Sequence, residues 1–127
     1  MKNLKYEHMH IDGFTQVPNT QVAVSDDTHE YFIPYKFDAD APVRSDQERY
    51  YDTLNFIHLD KNGNYKPGIT DEQLLEVLIH RTEYFQTTVP CEENEVTLMH
   101  LRSALQAKLD RTAKRQAQNV EGTYQKH

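Results

Sequence analysis

The sequence contains no tryptophan, a single cysteine and no long apolar run. One cysteine, Cys91, excludes an internal disulfide framework and a zinc site built from cysteines. The first residues, MKNLKYEHMHID, lack the apolar stretch of a signal peptide, and no segment approaches the ~20 apolar residues that span a bilayer. These absences predict a protein of the cytoplasm that has no membrane partner.

Positive charge is also scarce. The 127 residues include 14 lysines and arginines against 20 aspartates and glutamates, which gives a formal net charge of −6. General nucleic-acid binders owe their affinity to clustered cations, so this balance argues against a nucleic-acid polymer as partner. Any anion-binding site must be local. The length fits one ordinary domain, or a small domain with an appended module.

The chain before Pro67 predicts short β-strands. Val22 and Val24 alternate in TQVAVS, and apolar residues alternate in YFIPYKF. Pro34 lies within the second run, which favours an edge strand over a central one. The SDDTH segment between the two runs predicts a hairpin turn. A third run, YDTLNFIHLD, has apolar residues on both faces, so its facing stays open.

After Gly68 the apolar period becomes helical. Thr70 and Gln73 fit a capping box, followed by a helix from Asp71 to about Gln86. Pro90 suits the first turn of a second helix, in which leucines recur at three- and four-residue spacing.

The second helix is predicted to end near Ala117, where Asn119 suits the left-handed turn that often follows a helix. The short connection makes the two helices antiparallel neighbours. The predicted fold class is α+β: a small antiparallel β segment over residues 1–66, then a long antiparallel two-helix hairpin with a short tail over residues 67–127.

Four blocks of the C-terminal half point to a known family: LLEVLIHRTEYFQ, PCEEN, LMHLRSAL and above all RTAKRQAQNVEGT. Together they resemble the hairpin domain shared by phage anti-CBASS and anti-Thoeris nucleotide-sponge proteins. The resemblance implies a protein that sequesters a cyclic nucleotide or a cyclic ADP-ribose-type signal without cleaving it. It also implies assembly into homodimers or homohexamers, with no enzymatic activity and no cofactor.

The candidate ligand-binding residues are three cations on the second helix and two tyrosines. Arg111 and Arg115 are four residues apart and therefore share one side of a helix, with Lys114 beside them. Arginine can bind phosphate through two parallel hydrogen bonds, whereas lysine acts as a point charge. Tyr84 and Tyr124 are candidates for stacking on a base.

Structural alternatives stand beside these candidates. In an antiparallel hairpin Arg111 and Arg115 can simply pair with Asp71 and Glu72 at the start of the first helix. Phe85 lies in the apolar stripe of the first helix and is predicted to be a core residue. Cys91, at the start of the second helix, is predicted to be a small buried group.

Two metal-like patterns are rejected. His8, His10 and Asp12 share one face of an extended segment, but the barrel hydrolases with this pattern are far longer. The DKNGNYKPGITD segment has oxygen ligands at odd positions but lacks the glycine and the glutamate of a calcium loop, so it predicts a turn.

No catalytic triad order or phosphate-binding glycine loop emerges, and the predicted protein is not an enzyme. The alternative function is a phage protein-interaction module that uses the hairpin to oligomerise and presents YFIPYKF as a binding edge.

Overall fold

The computed structural model describes residues 4–6, 13–38 and 51–118. These residues fall into two compact units that divide between Phe56 and Ile57. The first unit contains strands and the second a small β-hairpin followed by two helices. The predicted α+β class, with an antiparallel β segment before two helices, is confirmed.

The first unit contains a four-stranded antiparallel sheet in the order β2-β3-β4-β6. Its strands are β2 (Phe14–Gln16), β3 (Ala23–Ser25), β4 (Glu30–Pro34) and β6 (Tyr51–Asn55). A separate antiparallel pair joins β1 (Leu4–Tyr6) to β5 (Lys36–Asp38).

The SDDTH segment forms the predicted hairpin turn. Val24 lies opposite Tyr31, and the N–H of Thr28 donates to the carbonyl of Ser25 across 2.9 Å.

Aromatic side chains on one face of the sheet make its core. Phe32 is only 5% exposed, its ring stacks on Tyr51 with centroids 4.4 Å apart, and it meets the edge of Phe14 at 6.4 Å. The pleat places these three rings on the same face because side chains alternate along a strand. Tyr31 and Phe56 form an edge-to-face pair on the other face, at 5.8 Å.

Two expectations for the strands are wrong. YFIPYKF is not an edge strand, because β4 lies between β3 and β6. Pro34 is tolerated because it is the last residue of β4, beyond the two residues that pair with β3. YDTLNFIHLD is not one strand either. It divides into β6 and β7 (His58–Leu59), and β7 pairs with β8 (Tyr65–Lys66) in a separate hairpin.

The helices begin and end close to the predicted positions. Helix α1 spans Asp71–Thr88 and helix α2 spans Glu92–Ala117. The capping box is present: the hydroxyl of Thr70 accepts from the N–H of Gln73 at 3.1 Å, and the side chain of Gln73 accepts from the N–H of Thr70 at 2.9 Å.

Three details at the helix ends differ or lie outside the described residues. Pro90 is not in the first turn of α2, because the N-cap residue is Cys91. Cys91 is exposed rather than buried. Its N–H donates to the side chain of Gln86, at 3.1 Å. The C-cap of α2 is Gln118, and the proposed turn residue Asn119 lies outside the described residues.

Candidate functional site

Two ion pairs confirm that α1 and α2 are antiparallel. Lys108 on α2 contacts Asp71 at the start of α1, with Nζ and Oδ2 2.8 Å apart. Arg102 contacts Glu83 further along α1, at 2.9 Å. All four side chains are about half exposed, so each pair contributes at most about 1 kcal/mol. The hairpin therefore has a tip at residues 88–92 and an open end, where α1 begins and α2 ends.

The open end carries the predicted cations. Lys114 and Arg115 lie in the last turn of α2, and Arg111 precedes them by one turn. Arg111 and Lys114 are exposed, whereas Arg115 is half-buried and already interacts with another group. Among the side chains that the structure describes, neither Arg111 nor Lys114 forms an ion pair. The structure thus brings three cations together and leaves two of them available to an anion.

The alternative pairing of Arg111 with Asp71 is wrong in detail. Asp71 is paired, but its partner is Lys108, one turn earlier on α2. This turn is needed because α2 extends past the start of α1, so its last cations lie beyond Asp71.

Tyr84 lies far from these cations within one chain. It follows Asp71 by 13 residues, which is about 20 Å along α1 at about 1.5 Å per residue. The ring is 59% exposed and packs edge-on against Phe85, with centroids 5.3 Å apart. Phe85 itself is 38% exposed, so the prediction that it is a core residue is wrong. Tyr124 lies outside the described residues.

Sequence reasoning missed Arg81. Its guanidinium lies over the ring of Phe85, 4.8 Å from the centroid, in a cation–π contact. The spacing of four residues was the available signal, because residues i and i+4 are neighbours on a helix. Arg81 and Tyr84 also line a shallow surface groove on α1 with Glu76, Val77 and His80.

The loop between β7 and β8 is a turn, as predicted. The carboxylate of Asp60 accepts hydrogen bonds from the backbone N–H groups of Asn64, at 3.0 Å, and Asn62, at 2.9 Å. The Asn64 bond is the main cause that holds the pKa of Asp60 below its ordinary value, and the positive charges of Lys66 and His58 act in the same direction. One carboxylate oxygen is thus occupied by the backbone. Gly63 completes the turn with φ of +82°, a conformation that suits glycine.

The described residues offer binding groups rather than reactive ones. Within them no cluster of three or more histidine, cysteine, aspartate or glutamate side chains could hold a metal ion. His8, His10 and Asp12 lie outside the described residues. No helix in the described part of the chain has the length and apolar character to cross a membrane. The open end of the hairpin can bind an anion through Arg111 and Lys114.

Comparison with known proteins gives one partial similarity. The chain matches no protein-family model. It is 38% identical over 60 residues to Thoeris anti-defense 1 of Bacillus phage SBSphiJ7. The aligned stretch is 46% of this chain and 42% of that phage protein, so the chain spans less than half of that relative. The predicted resemblance is confirmed in part: over that stretch the chain is related to an anti-Thoeris protein, while the anti-CBASS relationship stays a prediction.

Proposed function

We propose that this protein is a phage immune-evasion factor that binds a small phosphorylated signalling molecule and releases it unchanged. The signal is a cyclic nucleotide or a cyclic ADP-ribose-type molecule, and binding takes place in the cytoplasm of the infected cell. The name of the relative from phage SBSphiJ7 supports the anti-defence role. The cations at the open end of the hairpin support the class of ligand.

The observation that carries the proposal is the pair of exposed cations at the end of α2. Arg111 and Lys114 have no carboxylate partner among the described residues, although the chain as a whole has an excess of acids. The carboxyl end of a helix is negative, so the backbone there cannot hold an anion. The two side chains must therefore supply the attraction. Arg111 offers parallel donors to a phosphate, and Lys114 adds a mobile charge.

A single hairpin gives the ligand only an open surface. Ligand sites normally enclose most of a small molecule. Tyr84, the proposed stacking residue, is on the same chain but about 20 Å from Asp71 along α1. A second subunit that covers the open end would enclose the ligand and supply an aromatic ring. Self-assembly is for this reason part of the proposed function.

Sequestration needs no catalytic groups. A protein that removes a signal from solution must bind its ground state, whereas an enzyme must bind a transition state more tightly than the substrate. The cluster of Arg111, Lys114 and Arg115 suits the first task. It contains no group with the pKa of a general acid or base near neutral pH.

The test is a binding-and-release assay. Purified protein is mixed with a panel of cyclic dinucleotides, cyclic trinucleotides and cyclic ADP-ribose isomers, filtered, then heat-denatured, and the supernatant is chromatographed. We expect one compound to be depleted and then recovered intact. A compound recovered in cleaved form would show an enzyme instead.

The site is tested with two matched variants. Arg111→Ala removes an exposed cation that has no acidic partner, and the affinity for the depleted compound should fall about 10- to 100-fold, the effect of one charge-assisted hydrogen bond. Arg102→Ala removes an exposed cation that is paired with Glu83, and the affinity should change by less than about threefold. Equal losses in both variants would place the site elsewhere.

A second candidate function is a protein-interaction module. It is favoured by large apolar side chains that remain exposed on the hairpin, among them Val77 (61%), Val89 (66%) and Met99 (56%). The predicted binding edge in YFIPYKF does not support this candidate, because β4 is an inner strand. If the panel is not depleted at all, this module becomes the better account.

A further inference from the structure

Charge is separated along the hairpin. The segment around the tip, from Thr82 to Leu101, contains four glutamates and no lysine or arginine. The open end carries the cations of the last turns of α2: Lys108, Arg111, Lys114 and Arg115. One end of the hairpin is therefore acidic, and the other carries exposed positive charge.

The ion pair between Asp71 and Lys108 identifies which residues share one side of the hairpin. Helical spacing of three and four residues places Leu74, Leu78 and Phe85 on the same side of α1 as Asp71. The same spacing on α2 gives this set, from the tip to the open end: Glu93, Thr97, Ala104, Lys108 and Arg111. We call this surface the Lys108 side.

The Lys108 side is apolar in its middle and uncovered. Leu78 is 40% exposed and Phe85 is 38% exposed. Of all the described side chains on α1 and α2, only Leu98 is buried. Two helices that bury one side chain between them have little core, and apolar residues at alternating spacings of three and four are the seam by which helices pack in bundles.

We infer that a second copy of this chain packs on the Lys108 side in the antiparallel orientation. This inference rests on the self-assembly that is part of the proposed function. It adds the surface and the direction. The two hairpins then form a four-helix bundle, with Leu78 and Phe85 at its centre.

The charges select the orientation. In a parallel pair the two acidic tips lie together, and glutamates repel each other without a nearby cation. In the antiparallel pair Glu93 of one copy lies near Arg111 of the partner subunit, and the twofold symmetry makes this contact twice. The same arrangement brings the half of the hairpin that contains Phe85 and Tyr84 towards the cations of the partner subunit.

Cysteine crosslinking tests the orientation directly. The wild-type chain has one cysteine, Cys91, which is exposed at the tip. The variant Ala107→Cys adds a second cysteine on α2, and the two are about 24 Å apart in one chain at about 1.5 Å per residue. A short bismaleimide cannot join them within a chain. We expect covalent dimers from Ala107→Cys and none from the wild type.

The control is the double variant Cys91→Ser with Ala107→Cys, which should give no covalent dimer. Dimers from the wild type would overturn the inference, because they need two tips side by side. Absence of dimers from Ala107→Cys would also overturn it, as would a monomeric mass in light scattering. An antiparallel dimer that depletes no nucleotide would leave the inference intact and refute only the proposed ligand.

Charge reversal tests the contact between Glu93 and Arg111. Glu93→Lys and Arg111→Glu should each raise the dissociation constant of the dimer about 10-fold or more, and the variant that carries both changes should return to within about threefold of the wild type. Glu92→Lys is the matched control. It lies in the same first turn of α2 but one residue away, which turns it about 100° from the Lys108 side. An equal effect of Glu92→Lys, or no recovery in the double variant, would contradict the contact.

Discussion

At the residue scale, short-range polar contacts fix where the helical hairpin begins. Thr70 and Gln73 exchange two hydrogen bonds at the start of α1, at 3.1 and 2.9 Å. An N-cap threonine of this kind contributes about 1 kcal/mol to stability. Sequence reasoning found this box because all of its atoms belong to four consecutive residues, and no distant contact is needed to form it.

Asp60 makes the turn before α1 sensitive to acid. Its pKa lies below the ordinary value of 3.8 because the folded turn donates backbone hydrogen bonds to the carboxylate. The lowered pKa means that the charge stabilises the turn above pH 3.8, and that this stabilisation is lost as the pH falls through the lower folded-state value. We expect the amide signals of Asn62 and Asn64 in NMR spectra to shift with that lower midpoint.

Asp60→Asn is the control for this titration. The asparagine keeps a side-chain oxygen that can accept from the backbone but has no proton to gain, so the low-pH step in both amide signals should disappear. A midpoint at or above pH 3.8 in the wild type would contradict the lowered pKa.

The partner of Asp71 was beyond local reasoning. The sequence placed the acidic start of α1 near the basic end of α2, which is correct, but it pointed to Arg111 and Arg115 rather than Lys108. The choice between neighbouring turns depends on how the connection at Val89–Cys91 sets the two helices against each other. This offset comes from packing and is not encoded in the spacing of the charges.

At the scale of elements, the helices were easier to predict than the strands. A helix satisfies its hydrogen bonds within one segment, so the apolar period and the cap define it. A strand has a role only through its neighbours. Pro34 looked like an edge residue because a central strand needs every N–H, yet β4 is central and simply ends at Pro34. Its pairing with β6 bridges residues that are about 20 positions apart in sequence.

Leu98 is the element-scale test of the hairpin. It is 7% exposed and is the buried side chain between α1 and α2. Leu98→Ala should lower the free energy of unfolding by about 2–4 kcal/mol because it leaves a cavity. Leu109→Ala truncates a leucine that is 46% exposed on the same helix and should cost less than about 1 kcal/mol. Urea unfolding at one fixed protein concentration measures both, since assembly would otherwise change the midpoint.

Equal costs for the two leucines would mean that α1 and α2 do not pack as described. A larger cost for Leu109→Ala would show that another surface covers this residue in solution. The sequence predicted a stripe containing both residues, because both follow the leucine spacing of α2. Only the position of α1 against that stripe separates them.

At the scale of the whole molecule, the excess of acid and the separated cations act in opposite directions. The net charge of −6 makes two copies repel each other at long range. The contact of Glu93 with Arg111 of the partner subunit acts at short range. Salt weakens both effects, so the response of the wild type alone does not separate them.

Two variants with equal net charge separate them. Glu93→Lys and Glu92→Lys both raise the charge from −6 to −4 and alter the same helix turn, so long-range repulsion and the helix dipole change equally. At about 50 mM salt we expect the dimer of Glu93→Lys to dissociate at about 10-fold higher concentration than that of Glu92→Lys. At about 1 M salt, where the Debye length is about 3 Å, the ratio should fall to about twofold or less. Sedimentation equilibrium measures both constants, and a ratio near one at low salt would mean that Glu93 lies outside the contact between copies.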